Sequence, residues 1–289
     1  MGKTHVGSAL ARTISSRGCS VGVLKPVETG CPEIGGRLVP SDALSLREAA
    51  GADEKLDLIC PYPLRLPAAP AVAARRERIR ISIDKISNAF SIIAAKHRFV
   101  IVEGAGGLLV PLDEKTSFVD LIQRLGLPVL VVARARLGTI NHTLLTVDHL
   151  VREKIATLGV VINHREGDLA AAERENLNHL IARLGPLFLG EVPHAPPPPG
   201  EIGRDGALGQ AFRAPAAAGA QDSWCRAILD RCGLILASRP RGAAETTETA
   251  EGFGMDCRKL LERDENRQCL IPKKRPPSSR WSASSISSR

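Results

Sequence analysis

The stretch Phe99-Val100-Ile101-Val102-Glu103-Gly104-Ala105-Gly106-Gly107 decides how this chain folds. Its first four residues are apolar and three of them are β-branched. That is the pattern of a central strand buried on both faces, which among alternating helices belongs to a parallel sheet. Glu103 stands at the C-terminal tip of the strand. The glycines at 104, 106 and 107 then let the backbone turn sharply and bring N–H groups close to an anion with no Cβ in the way. The C-terminal edge of the strands is where open α/β sheets bind ligands. A plain strand-to-loop turn with a solvated glutamate has the same local pattern, so this stretch alone leaves both readings open.

The alternation continues on either side. Apolar runs at 20–24, 127–133, 158–164 and 187–193 read as strands. Segments at 5–17, 41–50, 82–96, 141–153 and 169–184 carry helical periodicity, with Ser41-Asp42 as the cap of the second. Residues 31–40 read as a loop, and the proline-rich 61–70 as a surface wrap. Such alternation predicts right-handed crossovers and a mostly parallel, doubly wound α/β sheet.

Chemistry-bearing residues gather at the expected strand and helix ends. Gly2-Lys3-Thr4 opens the first helix and matches the second half of a phosphate-binding loop. In such loops the lysine meets the β/γ-phosphates, the threonine hydroxyl holds Mg²⁺ and the helix N-terminus attracts the anion. Lys25 precedes Pro26, which restricts it to an extended conformation and leaves its ammonium at the sheet edge. Asp42 reads equally as a carboxylate favoured by the helix dipole or as a ligand sharing Mg²⁺ with phosphate oxygens. Free N–H groups at the helix start near Gly138 and Asn141 can receive a carboxylate. His142 on that helix is ordinarily a structural residue.

With 289 residues, 44% hydrophobic and 24% charged, the chain can bury a sizeable core. No apolar run has the length of a membrane span and the start carries no signal-peptide core, so a cytoplasmic protein without a membrane partner is expected. The seven cysteines are scattered with no C-x-x-C pair, which fits reduced thiols rather than a metal cluster. Roughly half of the net charge of +8 falls after Ala214. The body is thus only mildly basic, and aromatics are 3%, which suits a phosphate-bearing ligand and argues against a nucleic-acid groove. From about Pro196 the composition shifts to prolines, alanines and mixed charge with little periodicity. One helix is expected at 224–236, and 213–289 reads as a largely disordered, low-complexity tail.

Taken in order, Gly2-Lys3-Thr4-His5-Val6-Gly7, Lys25-Pro26-Val27-Glu28-Thr29-Gly30, Ser41-Asp42-Ala43, Pro67-Ala68-Ala69-Pro70, Val102 to Gly107, Leu137-Gly138-Thr139-Ile140-Asn141-His142, Ile162-Asn163 and Gly190-Glu191-Val192-Pro193 form a series. That series resembles the dethiobiotin synthetase family over residues 2–212. The resemblance implies a P-loop NTPase-type α/β domain at 1–212. It also implies a reaction in which 7,8-diaminononanoate, CO₂ and ATP give dethiobiotin, ADP and phosphate through a carbamate and a carbamic-phosphoric anhydride. Carried over, Lys3 would contact the β/γ-phosphates and Lys25 the carbamate and γ-phosphate. Gly2 and Thr4 would complete the phosphate contacts, and Thr4, Asp42 and Glu103 would gather Mg²⁺. Thr29 would touch the substrate amines, Gly106 and Gly107 would let the chain approach the substrate, and Gly138, Thr139, Ile140 and Asn141 would bind the substrate carboxylate, across a homodimer interface. Asn163, Val192 and Pro193 would frame the adenine.

The resemblance also marks two departures. Family members carry a strand and a Gly-x-x-x-x loop before the Gly-Lys-Thr, so the expected fold lacks its first strand and part of the phosphate cradle. The tail has no family counterpart. The competing expectations are an active ATP-dependent cyclo-ligase, a non-catalytic or impaired dimeric relative with an incomplete loop, and a relative of the partitioning ATPases. The last does not require Lys-Pro-Val-Glu-Thr-Gly followed by Glu-Gly-Ala-Gly-Gly.

Overall fold

A first helix is followed by four short strands, and strict alternation of strand and helix sets in from β6 onward. Lys3–Ser15 (α1) leads into Val21–Leu24 (β1), Val27–Thr29 (β2), Glu33–Ile34 (β3), Arg37–Leu38 (β4), Ser41–Ala50 (α2), Leu56–Ile59 (α3) and Tyr62–Leu64 (β5). Pro70–Arg76 (α4), Ile83–Ala94 (α5), Phe99–Val102 (β6), Phe118–Leu125 (α6) and Val129–Arg134 (β7) come next. Thr139–Arg152 (α7), Thr157–Asn163 (β8), Ala171–Leu184 (α8), Phe188–Val192 (β9) and Gln221–Arg231 (α9) complete the series. The computed structural model describes residues 2–164, 169–194 and 221–231, which all fall in one unit spanning Met1–Ala237. The expectations for 195–220 and for the chain after 231 lie outside the described residues.

Parallel ladders join β1 to β6, β2 to β5, and β7 to β8 to β9. Alternate residues of these strands face opposite ways, as the period of two requires. Val21 and Val23 of β1, with Val161 of β8 and Val192 of β9, enter a core shared with Leu10 and Ile14 of α1 and Leu46 of α2. Leu24, Val100 and Val102 pack on the other face against Ile86 and Ile93 of α5 and Leu121 of α6. Val160 and Ile162 pack there against Leu177 and Leu180 of α8. Helices on both faces of parallel strands make the layer doubly wound.

Three local expectations are corrected. The strand at 99–102 forms, but its four residues are half-buried rather than fully buried. Among the described residues β6 pairs only with β1, and β7 only with β8, so each keeps one edge without a strand partner. Residues 31–40 contain a two-residue hairpin, with Gly35 and Gly36 both at positive φ as such a tight turn requires. The proline-rich segment is core as well as surface, because β5 buries Tyr62 and Leu64 beside β2. Pro63 is tolerated in this short edge pairing, where the missing N–H removes little of the ladder.

Helix α9 adds buried Trp224, Cys225, Ile228 and Leu229 to the α1 core, beyond residue 212, where the sequence reading closes the domain. A Cβ on Gly190 would lie 2.9 Å from the Cβ of Trp224, so the missing side chain lets the helix seat on β9. Arg231 Nη1 donates to the Leu158 carbonyl at 2.6 Å.

Candidate active site

The tips of β1 and β6 set the site. Their register pairs Leu24 with Val102, and the Glu103 N–H donates to the Leu24 carbonyl at 2.9 Å. Lys25 and Glu103 therefore leave the sheet side by side. The Lys25 ammonium donates to Glu103 Oε1 and Asp42 Oδ2, each at 2.7 Å. The lysine and Glu103 side chains are 3% and 5% exposed, whereas Asp42 is 36% exposed, so the first ion pair lies in the interior and the second at its mouth. Thr4 Oγ1 donates to the same Glu103 oxygen at 2.8 Å, which brings the start of α1 to the carboxylate. Burial opposes the charge on Lys25, but Glu103 and Asp42 outweigh it and hold the ammonium above the usual lysine range. Burial, and next the Lys25 charge, lower Lys3 below its ordinary value, with Glu103 and Asp42 acting the other way.

Lys3, Lys25, Thr29, Asp42 and Gly106 meet around one cavity of about 140 Å³. Thr4 and Glu103 join it through the hydrogen bond just described. Gly107 follows Gly106 in the turn and is not part of the cavity wall. Gly2 begins α1 at φ 80°, and a Cβ there would fall 2.0 Å from Asn163 Nδ2, so only glycine allows the helix start to lie against the tip of β8. Asn163 pairs in register with Val192, and Pro193 follows. The expected phosphate and adenine contacts are thus neighbours. Gly138, Thr139, Ile140 and Asn141 are elsewhere: they line a second cavity of about 500 Å³, walled on its other side by Glu173, Asn176 and Leu177 of α8.

Two features escaped the sequence reading. Glu28 lines the first cavity and is buried. Its presence inside Lys-Pro-Val-Glu-Thr-Gly was the available signal. At the ends of β8 and β9, Glu191 accepts from Arg174 Nη1 at 2.9 Å and lies 2.5 Å from His164 Nε2. No spacing rule predicts that contact between β8, β9 and α8.

A helix opened by Gly-Lys-Thr, a buried lysine and buried glutamates at the C-terminal edge of parallel strands, and helices on both faces define a nucleotide-binding α/β enzyme of the P-loop type. A family model described as "AAA domain" matches residues 1–198. The ATP-dependent dethiobiotin synthetase BioD of Anaeromyxobacter dehalogenans is 47% identical over 185 residues, covering 62% of this chain and 81% of that protein. Its namesake from Thermodesulfovibrio yellowstonii is 45% identical over 204 residues, covering 67% and 84%. That of Methanocaldococcus jannaschii is 46% identical over 167 residues, covering 56% and 74%. Among solved structures, the MinC:MinD cell division protein complex of Aquifex aeolicus is similar at a TM-score of 0.46 and 14% identity, covering 84% of this chain and 95% of that one. The chain belongs to the ATP-dependent dethiobiotin synthetase family.

Proposed function

We propose that this chain closes the ureido ring of dethiobiotin at the Lys25 cavity, at the expense of ATP. The observation that carries the assignment is the buried Lys25 ammonium, held between Asp42 and Glu103 with Lys3 on the same cavity wall. The reaction brings two anions together, a carbamate and a triphosphate, and needs fixed cations more than a strong base. One substrate amine adds to CO₂ and loses a proton, giving the carbamate. A carbamate oxygen takes the γ-phosphoryl group and ADP leaves. The second amine attacks the carbonyl carbon, phosphate departs and the ring closes. Lys25 faces the charge that develops between carbamate and γ-phosphate, Lys3 the β/γ-phosphates, and Thr29 the amines. Gly2 lends its main chain to the phosphates, Gly106 and Gly107 let the chain approach the substrate, and Asn163, Val192 and Pro193 frame the adenine.

The donor set suits Mg²⁺. Thr4, Asp42 and Glu103 offer only oxygen, and Glu103 Oε2 is buried without a hydrogen-bond partner among the described residues. When bound, the ion would neutralise phosphate charge. Glu103→Gln keeps an acceptor for Thr4 and Lys25 but removes the charge, a loss of about 2 kcal/mol of charge-assisted bonding. Turnover should fall about 30-fold, with a raised Mg²⁺ requirement in a titration and an unchanged circular dichroism spectrum. A wild-type rate would remove Glu103 from the ligand set.

The chain is proposed to act as a homodimer, with Gly138, Thr139, Ile140 and Asn141 receiving the substrate carboxylate across the interface. Leu137 and Leu145 on the rim of the larger cavity are 78% and 59% exposed, apolar surface that a second copy would cover. A cytoplasmic location suits Cys19, Cys31, Cys60 and Cys225, which are buried and form no disulfide among the described residues. The test is dethiobiotin formation by purified chain with Mg²⁺, bicarbonate, diaminononanoate and ATP. Product that requires every component is expected. None from a folded sample would favour the non-catalytic relative.

A further inference from the structure

Helix α2 carries Asp42 in its first turn but has no side-chain cap of its own, its N-cap being Pro40. The expected Ser41-Asp42 cap is absent, and the acceptors come from another element. Glu28, on β2, accepts from the Asp42 N–H at 2.9 Å through Oε1 and from the Ala43 N–H at 3.0 Å through Oε2. Ser41 Oγ adds a longer bond of 3.3 Å to Oε1. Burial pushes the Glu28 carboxyl above the usual range, while the two N–H donors pull the other way and hold its oxygens against the start of the helix. The segment Lys25-Pro26-Val27-Glu28 thus grips one residue from both ends, because Lys25 binds the Asp42 side chain and Glu28 binds its main chain.

Glu28 borders the cavity, but most of its carboxylate is engaged by the start of α2. A carboxylate offers about four acceptor sites, and three are engaged by α2. Its contribution must come through what it holds. We infer that Glu28 is a positioning residue, a tether between β2 and α2 that keeps Asp42 against the Lys25 ammonium and so fixes the direction in which that ammonium faces the carbamate and γ-phosphate. The inference rests on the function proposed above.

Simple capping and positioning differ in a rescue experiment. Glu28→Ala removes both the cap and the tether, whereas Glu28→Ala with Pro40→Asp returns a cap from within the helix without the link to β2. Pro40 has extended backbone geometry (φ −78°, ψ 98°), which an aspartate N-cap can adopt. Dethiobiotin formation is measured at a temperature at which circular dichroism shows every variant folded. Expected are a melting temperature lowered in Glu28→Ala and recovered in the double variant, and a kcat reduced about 10- to 100-fold in both, with the KM for ATP changed less than threefold. Recovery of kcat along with the melting temperature would reduce Glu28 to a cap and overturn the inference. So would a wild-type kcat in Glu28→Ala. If the unmodified chain makes no dethiobiotin, the proposed function falls first and this role falls with it. An active parent with active variants refutes the tether alone.

Discussion

Replacing Lys25 by alanine is expected to lower dethiobiotin formation about 1000-fold, the scale seen when one pre-placed donor to a developing negative charge is removed. The ammonium is already buried and fixed at 2.7 Å from each of two carboxylates, so no reorganisation is needed when phosphoryl transfer begins. Alanine also leaves Glu103 in the interior without its cation, at a cost of about 3 kcal/mol of stability. The two effects separate in the assay: the rate loss persists at temperatures where circular dichroism reports folded protein, and the stability loss does not enter there. Lys25→Arg sharpens the comparison. A planar guanidinium keeps the charge but cannot reproduce the point contact of an ammonium, so stability should largely return and turnover should not. The sign of the pH dependence follows from the raised pKa of Lys25. Its ion-pair stabilisation is complete below the unfolded-state value, near 10.4, and is lost as pH rises through the higher folded value. The rate ratio of wild type to Lys25→Ala should therefore be flat between about pH 7 and 9. A Lys25→Ala protein that stays folded and turns over at a tenth of the normal rate or better would make Lys25 a structural counter-ion.

Much of this was legible because the governing signals are local. Four apolar residues before Glu103 fix a strand, its tip and the carboxylate on it, and Pro26 fixes where the Lys25 strand ends. The series of short motifs identified the family and nominated Lys3, Lys25, Thr29, Asp42 and Gly106, which the fold gathers around one cavity. What could not be read depends on partners distant in sequence. The half-burial of β6 reflects which strands lie beside it, a property absent from its own four residues. The true cap of α2 comes from Glu28, whereas the local rule pointed to Ser41 and Asp42, because capping rules consider only the residues next to the helix. Tyr62 and Leu64 were hidden by surrounding prolines, a composition that signals loops on average but tolerates a short edge pairing.

Trp224→Ala should destabilise the folded chain by about 3–5 kcal/mol, the usual cost of emptying a large core site. The indole is fully buried in a core shared with α1 and the tip of β9, and its Cβ lies where Gly190 leaves room. Its Nε1 has no hydrogen-bond partner among the described residues, so the indole acts through volume rather than polarity. Trp224→Phe should consequently cost only about 1–2 kcal/mol, since most of the volume is kept and no bond is lost. Urea denaturation followed by circular dichroism measures both. The consequence reaches the proposed nucleotide site, because Gly190 precedes Glu191, Val192 and Pro193, and Val192 pairs with Asn163. A cavity under β9 loosens the strand tip assigned to the adenine, so Trp224→Ala should raise the KM for ATP more than it lowers kcat. Unchanged unfolding would show that α9 contributes nothing to the core and would return the domain boundary to residue 212. Lost stability with an unaltered KM would confine the helix to a structural role, the β8 and β9 tips keeping their ladder and the His164, Glu191 and Arg174 contacts.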